Sequence, residues 1–303
     1  MKSNIPNRAR PFLKWAGGKS QLINNIAKSL PLDLRSKTFT YIEPFAGSGA
    51  VFFWMMSNFP QIEKAVINDI NADLIGCYNS IKNDVENLID ILAKFQFEYH
   101  KVFDNLDLSK DYYYTKRELF NSRTSRSTVQ SALFIFLNKT CFNGLYRVNR
   151  MNLFNVPIGR SKSLPNICDK VNLIAASEVL QNTLIMNGDY SETIKHADGN
   201  TLFYFDPPYK PLNETSSFNS YAMEVFNDPE QIRLKEFCKT LNDKGYQWIL
   251  SNSDLKNVNP ENNFFDELYS EFKIQRIDAR RSINSKSSNR GLITELLITN
   301  HNI

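Results

Sequence analysis

The run Tyr41-Ile42-Glu43-Pro44-Phe45-Ala46-Gly47-Ser48-Gly49-Ala50-Val51 constrains the fold more than any other stretch of the 303 residues. A short segment rich in branched and aromatic residues closes on a proline and two glycines and then resumes as an apolar stretch, which reads as strand, tight turn and helix. Glycine there permits a sharp turn and a close approach of backbone to a ligand. Similar runs at Ala65–Asp69, Thr183–Asn187, Leu202–Asp206 and Tyr246–Ser251 predict further buried strands, and their alternation with helical stretches predicts an α/β sheet of mostly parallel strands. Ile274–Ile283 and Leu292–Thr299 are also strand-like, and the short polar turn Asn284–Gly291 between them requires an antiparallel pair at the end of that sheet. From residue 76 to 170 the rhythm stops. Asn79–Lys101 and Asp111–Asn121 read as helices, and Ser127–Leu137 carries apolar residues at near-helical spacing. The expected organisation is an α/β body of residues 1–75 and 171–303 with a mainly helical insert over 76–170.

Charge follows the same division. The chain holds 36 Lys and Arg against 32 Asp and Glu, a net charge of +4. Residues 1–19 carry five bases and no acid, 112–170 ten bases and two acids, and 273–290 six bases and one acid, so the rest of the chain is acidic. Basic segments grafted on an acidic body suit a polyanionic partner such as nucleic acid; ordinary clustering of solvated charge is the alternative. Cys77, Cys141, Cys168 and Cys238 lack the close pairing of a zinc or redox site, and His100, His196 and His301 are scattered, so no metal site is expected. No stretch approaches the roughly eighteen apolar residues of a membrane span, and no apolar run follows the basic N-terminus. A soluble, cytoplasmic protein is expected.

Asp69 ends the strand-like run that follows the glycine turn, twenty residues after Gly49, where a carboxylate can accept hydrogen bonds from both hydroxyls of a ribose. The turn lacks both the G-x-G-x-x-G and the P-loop phosphate fingerprints, which points to a nucleoside without a pyrophosphate, S-adenosylmethionine being the obvious candidate. NAD enzymes share the strand, turn and acid, and a glycine loop with no ligand is the bland alternative. Trp15, within Phe12-Leu13-Lys14-Trp15-Ala16-Gly17-Gly18-Lys19, offers a ring to an adenine or a sulfonium, or else anchors the N-terminus. Asp206-Pro207-Pro208-Tyr209 follows the apolar run Leu202–Phe205, at the sheet edge where α/β proteins bind ligands. An exocyclic amine on a nucleobase is a poor nucleophile because its lone pair is delocalised. A carboxylate and a backbone carbonyl that accept its two N–H groups would aim the lone pair at an electrophilic methyl, and Tyr209 would give the base a stacking face. The alternative is a Pro-Pro-Tyr that merely ends a strand.

Five motifs in order, at 12–19, 43–49, 138–149, 154–160 and 206–209, make the chain resemble the Dam-type (D12 class, alpha group) site-specific DNA N6-adenine methyltransferases over residues 10 to 299. The resemblance implies a Rossmann-like S-adenosylmethionine-dependent fold with a mixed seven-stranded sheet and a helical DNA-recognition insert bearing a β-hairpin. It implies that Trp15, Lys19, Glu43, Phe45, Gly47, Gly49, Asp69, Asp189 and Tyr190 bind the cofactor. It gives Asp206, Pro207, Pro208 and Tyr209 the catalytic positions. The target adenine would be flipped out of the duplex. DNA would be contacted by Lys14, Phe142, Asn143, Leu145, Arg147, Asn149, Pro157 and Arg160, with Arg280 and Arg281 clamping phosphates. Phe142 stands where relatives often have tyrosine, and Ser161 where they can have one. The reading of Asn143–Arg147 favours a GATC-like palindrome, and the resemblance further implies double-stranded DNA as partner; a monomer is expected, and a cognate restriction endonuclease acting on the same site, a role alone in host regulation and a phage origin all stay open. Other readings are a methyltransferase for RNA adenine or cytosine N4, a non-catalytic DNA-binding module, and an NAD-type dehydrogenase.

Overall fold

Phe39–Glu43, five consecutive buried residues, form strand β1, as expected of a strand covered on both faces. The computed structural model describes residues 8–15, 17–209, 226–280 and 292–301. The other strands are β2 (Ile62–Asp69), β3 (Thr183–Asn187), β4 (Thr201–Phe205), β5 (Gln247–Ser253), β6 (Lys273–Arg280) and β7 (Leu292–Thr299). They make one mixed seven-stranded sheet in the order β3-β2-β1-β4-β5-β7-β6. β1 pairs parallel with β2 and β4, and β4 parallel with β5, while β7 is antiparallel to both β5 and β6. All seven runs read from the sequence contain strands, Thr183–Asn187 and Leu292–Thr299 with the expected ends and most of the others with ends shifted by a few residues; the end of Ile274–Ile283 and the turn Asn284–Gly291 lie outside the described residues. Thr183–Asn187 is less buried than expected: only Thr183 is buried, because β3 lies at a sheet edge.

The chain divides into two compact units, Met1–Gly18 with Gly47–Asn58 and Asp69–Gly188, and Lys19–Ala46 with Phe59–Asn68 and Asp189–Ile303. In the first unit α6 (Ser127–Thr140) is buried along most of its length, and α3 (Ala72–Asn83), α4 (Val85–Val102) and α5 (Leu106–Ser122) pack on it. A helix that is apolar nearly all round belongs at the centre of a bundle. Asn71 caps α3 by accepting the Leu74 amide, and Asn105 caps α5 by accepting those of Asp107 and Leu108. The single helix expected over Asn79–Lys101 is broken at Asp84, whose backbone is non-helical (φ −150°, ψ 43°) and whose carboxylate accepts the Thr128 hydroxyl at 2.6 Å. The first unit also holds α2 (Ala50–Asn58), directly after the glycine turn, and α7 (Lys170–Leu180). In the second unit α1 (Ile23–Lys28) precedes β1, α8 (Asp228–Asp243) packs on β5, and α9 (Phe264–Leu268) precedes β6. No helix of the described residues is long and apolar enough to cross a membrane.

Candidate active site

In the second unit the parallel register Thr40↔Thr201 to Ile42↔Phe203 brings the C-terminal ends of β1 and β4 to one sheet edge. Glu43 ends β1 there, buried and accepting the Tyr41 hydroxyl at 2.7 Å. β4 ends at Phe205, one residue before the run read from the sequence, so that Asp206 stands just beyond the strand. Lys19, only 3% exposed, places its ammonium 2.8 Å from Asp206 Oδ1, 3.7 Å from Glu295 Oε2 and 4.3 Å from the centre of the Tyr209 ring. Tyr209 donates its hydroxyl to Glu295 Oε2 at 2.5 Å, and Ser251 Oγ on β5 donates to Asp206 Oδ1 at 3.2 Å. Lys19 and Ser251 both act on Oδ1; Oδ2 takes no hydrogen bond from any described residue. Burial raises the Asp206 pKa above the ordinary carboxylate value, against the opposing pull of Lys19, and the nearby Glu295 carboxylate adds to the rise. Burial, with Asp206 and Glu295 beside it, pushes the Tyr209 phenol far above its usual range, so the hydroxyl stays a donor.

Phe45 and Tyr190 face one another in the same unit, ring centroids 5.1 Å apart. Asp189 is already engaged: its Oδ1 accepts the Ser191 amide, starting a 3₁₀ turn, and an Arg233 guanidinium nitrogen at 2.6 Å. Arg233, from α8, also lies 4.7 Å over the Tyr190 ring. Arg280 ends β6, and Arg281 lies outside the described residues.

In the first unit Asp69 Oδ2 accepts the Gly47 amide at 3.0 Å and Oδ1 the Asn71 amide at 2.9 Å. Burial raises its pKa, and these two amides oppose the rise. Each oxygen keeps lone-pair capacity beyond its one amide, as a ribose diol requires. Gly49 has φ +72°, and a Cβ there would come within 2.6 Å of the Tyr78 hydroxyl oxygen, which itself donates to the Gly47 carbonyl. The turn therefore needs glycine for both its conformation and its space. Trp15 is half-buried and stacks on Tyr146 (5.9 Å, 22°), whose hydroxyl donates to Asp73; Arg123 pairs with the same carboxylate.

Residues 141–159, where a β-hairpin is expected, fold into a narrow antiparallel ribbon held by two isolated bridges, Cys141↔Ile158 and Val148↔Phe154. Asn149 closes its turn by accepting the Met151 and Leu153 amides, so its carbonyl oxygen serves the backbone. Arg147 Nε donates to Asn155 Oδ1 at 2.7 Å. Phe142 is 51% exposed, Asn143, Pro157 and Arg160 are exposed, and Leu145 is half-buried. Asn143 holds a left-handed conformation (φ 55°), and Gly144 follows with φ 64°. Lys14 is exposed but its backbone is fixed: buried Asn138 accepts its amide and donates to the carbonyls of Lys14 and Gly144. A Cβ on Gly144 would lie 2.5 Å from Lys14 Cβ. Gly144→Ala is therefore expected to destabilise the protein by about 1–3 kcal/mol and to weaken duplex binding, read by thermal unfolding and by titration of labelled DNA.

The sequence reading missed Glu295, Ser251, Arg233, Tyr146 and Asn138. Glu295 left a trace as the one charged residue in the strand-like run Leu292–Thr299, and Asn138 and Tyr146 lie in the 138–149 motif but were given no role there. Ser251, Arg233 and Tyr146 find Asp206, Asp189 and Asp73 tens of residues away, and Asn138 finds Lys14 farther off still.

A family model described as "D12 class N6 adenine-specific DNA methyltransferase" matches residues 15–283. A Type II methyltransferase of Methanocaldococcus jannaschii is 45% identical over 296 residues, 96% of this chain and 99% of its own length. A Type II methyltransferase of Lactococcus lactis subsp. cremoris is 42% identical over 96% of this chain and 95% of its own. A DNA adenine methylase of Haemophilus influenzae is 36% identical over 95% of this chain and 92% of its own.

Proposed function

Because the chain belongs to the D12 class of N6 adenine-specific DNA methyltransferases, we propose that it methylates N6 of an adenine flipped out of a duplex GATC site. The observation that carries this reading is the Asp206 carboxylate, with Oδ1 taken by Lys19 and Ser251 and Oδ2 turned to no described donor. Oδ2 and the Pro207 carbonyl accept the two amine N–H groups, and Pro207 and Pro208 stiffen the loop that carries them. Lys19 covers one face of Tyr209 and the target base stacks on the other. Such positioning supplies much of the rate when two reactants are held in register. Extruding the base costs a few kcal/mol of stacking, which the pocket contacts must offset.

The family implies S-adenosylmethionine, and the residues present fit it. The half-buried Asp69 carboxylate, with two amides on it and acceptor capacity left, suits the ribose hydroxyls; the Phe45 and Tyr190 rings suit adenine, with Asp189 beside them. Trp15, Lys19, Glu43, Gly47 and Gly49 complete the set assigned to the cofactor. When bound, the cofactor supplies a methyl group made electrophilic by its sulfonium sulfur.

Residues 76–170 serve target recognition in this reading, and 1–75 with 171–303 catalysis. Exposed Phe142 enters the base stack, while Asn143, Leu145, Arg147, Pro157 and Lys14 read base edges; Asn155 holds the Arg147 fork in place for guanine. Arg160, Arg280 and Arg281 meet phosphates, and Asn149 shapes the ribbon. The chain acts as a monomer in the cytoplasm, and its Type II relatives support a cognate endonuclease acting on the same site. Purified protein with labelled cofactor should put N6-methyladenine into duplexes that contain GATC and not into matched duplexes that lack it. Equal labelling of both sets would remove the target assignment, and methyl on cytosine would remove the adenine chemistry.

A further inference from the structure

We propose that Glu295 is a positioning residue for methyl transfer, fixing the Tyr209 ring through its hydroxyl and holding Lys19 against Asp206, so that both are set before the base arrives. The inference rests on the assignment of Asp206 and Tyr209 to the target adenine. Glu295 sits in β7, in register with Ser253 of β5 on one side and Ile277 of β6 on the other. Strand pairing on both sides makes its backbone a fixed point. Its side chain is 15% exposed, in a strand whose other residues are Leu, Ile and Thr.

A carboxylate in such a place costs desolvation, and a well-packed apolar residue is often the more stable choice. What Glu295 gains is specific. Tyr209 donates to it at 2.5 Å, and the Lys19 ammonium stands 3.7 Å away while lying 2.8 Å from Asp206 and 4.3 Å from the Tyr209 ring centre. One acid thus touches both the side chain that would stack on the base and the cation that takes up Oδ1 of Asp206. Without it the Tyr209 ring would lose its tether and the Lys19 ammonium one of the two acids beside it. The ring and Oδ2 would then have to be ordered at the moment of reaction.

Glu295 also acts on Asp206 through charge. Among the described residues, the titratable groups facing Asp206 are Lys19 ahead of α1, Tyr204 of β4, Tyr209, and Glu295 of β7, with Ser251 of β5 as its neutral partner and Glu43 at the end of β1 acting on Tyr204. Lys19 favours the Asp206 carboxylate and Glu295 disfavours it.

The test uses the full chain and single-turnover methylation of a GATC duplex, with Glu295→Ala, Glu295→Gln and Asp206→Asn compared across pH. Glu295→Ala should slow transfer about tenfold or more, with cofactor and duplex affinities kept within about threefold. Glu295→Gln keeps an acceptor for the Tyr209 hydroxyl and should restore most of the rate. Because it removes the charge that disfavours the Asp206 carboxylate, its acid limb should move to lower pH by about half a unit or more. A purely structural role would lower the melting temperature and leave that limb in place. If Glu295→Ala fails to fold, the near-isosteric Gln variant carries the decision through its pH profile. Wild-type rates and profiles in the Glu295 variants, alongside a large loss in Asp206→Asn, overturn this inference alone. Full activity of Asp206→Asn overturns the base assignment and this inference together.

Discussion

Asp206→Ala and Asp206→Asn should each reduce methyl transfer by about a thousandfold or more while leaving duplex affinity within a few-fold. An adenine amine attacks only when its lone pair is drawn out of the ring and pointed at the methyl carbon, and a carboxylate oxygen accepting an N–H does this as charge builds on nitrogen. Asn presents to the amine either an uncharged oxygen or its own N–H₂, which cannot accept. The Asn variant matters because it preserves shape, whereas Ala leaves the buried Lys19 ammonium without its nearer acid. The pH dependence follows from the same group. The carboxylate is the working form and burial raises its pKa, so the wild-type rate falls as pH drops through that raised value. Its acid limb therefore lies above the ordinary aspartate range, and Asp206→Asn should show no such limb. Single-turnover assays with labelled cofactor measure both, and residual activity above a tenth of wild type would count against the assignment.

Asp69→Ala should weaken S-adenosylmethionine binding by about a hundredfold or more, since hydrogen bonds to a charged group contribute about 1.5–3 kcal/mol each and a ribose diol makes two. The same change releases the Gly47 and Asn71 amides, so some loss of thermal stability is expected with it. Asp69→Asn separates the two effects. Its carbonyl oxygen still accepts one amide, yet the second site becomes a donor, and cofactor affinity should fall although the fold persists. Titration calorimetry against S-adenosylmethionine and its demethylated product S-adenosylhomocysteine is the measurement. Equal losses for both ligands are expected, because they share the ribose.

Much of the framework was legible because its signals are local. The β4 run Thr201–Phe205, every residue buried, has four apolar or aromatic residues in a row, and Asp206 directly follows it. The antiparallel β6–β7 pair was dictated by a connection too short for a crossover. The features that escaped depend on partners distant in sequence. The break at Asp84 is stabilised by Thr128, 44 residues on, and a helical pattern continues through it. β3 has the composition of a buried strand and an edge position exposes it, which periodicity does not report. Asn149 lies in a motif shared with DNA methyltransferases, and its side chain closes a turn two and four residues ahead. Glu295 became meaningful only once β7 was found beside β5, 86 residues beyond the Tyr209 it binds. Asp189, read as a cofactor acid, comes with an Arg233 partner from α8 that no local pattern announces.

The central claim is a division of labour: Asp69 serves the cofactor and Asp206 serves the base. Calorimetric titration of S-adenosylmethionine into Asp69→Asn and Asp206→Asn, side by side with wild type, tests it most directly. The account predicts that Asp206→Asn binds the cofactor with nearly wild-type affinity although its methyl transfer is about a thousandfold slower or more, and that Asp69→Asn binds it far more weakly. Undiminished binding by Asp69→Asn, or an equal loss in both variants, would contradict it.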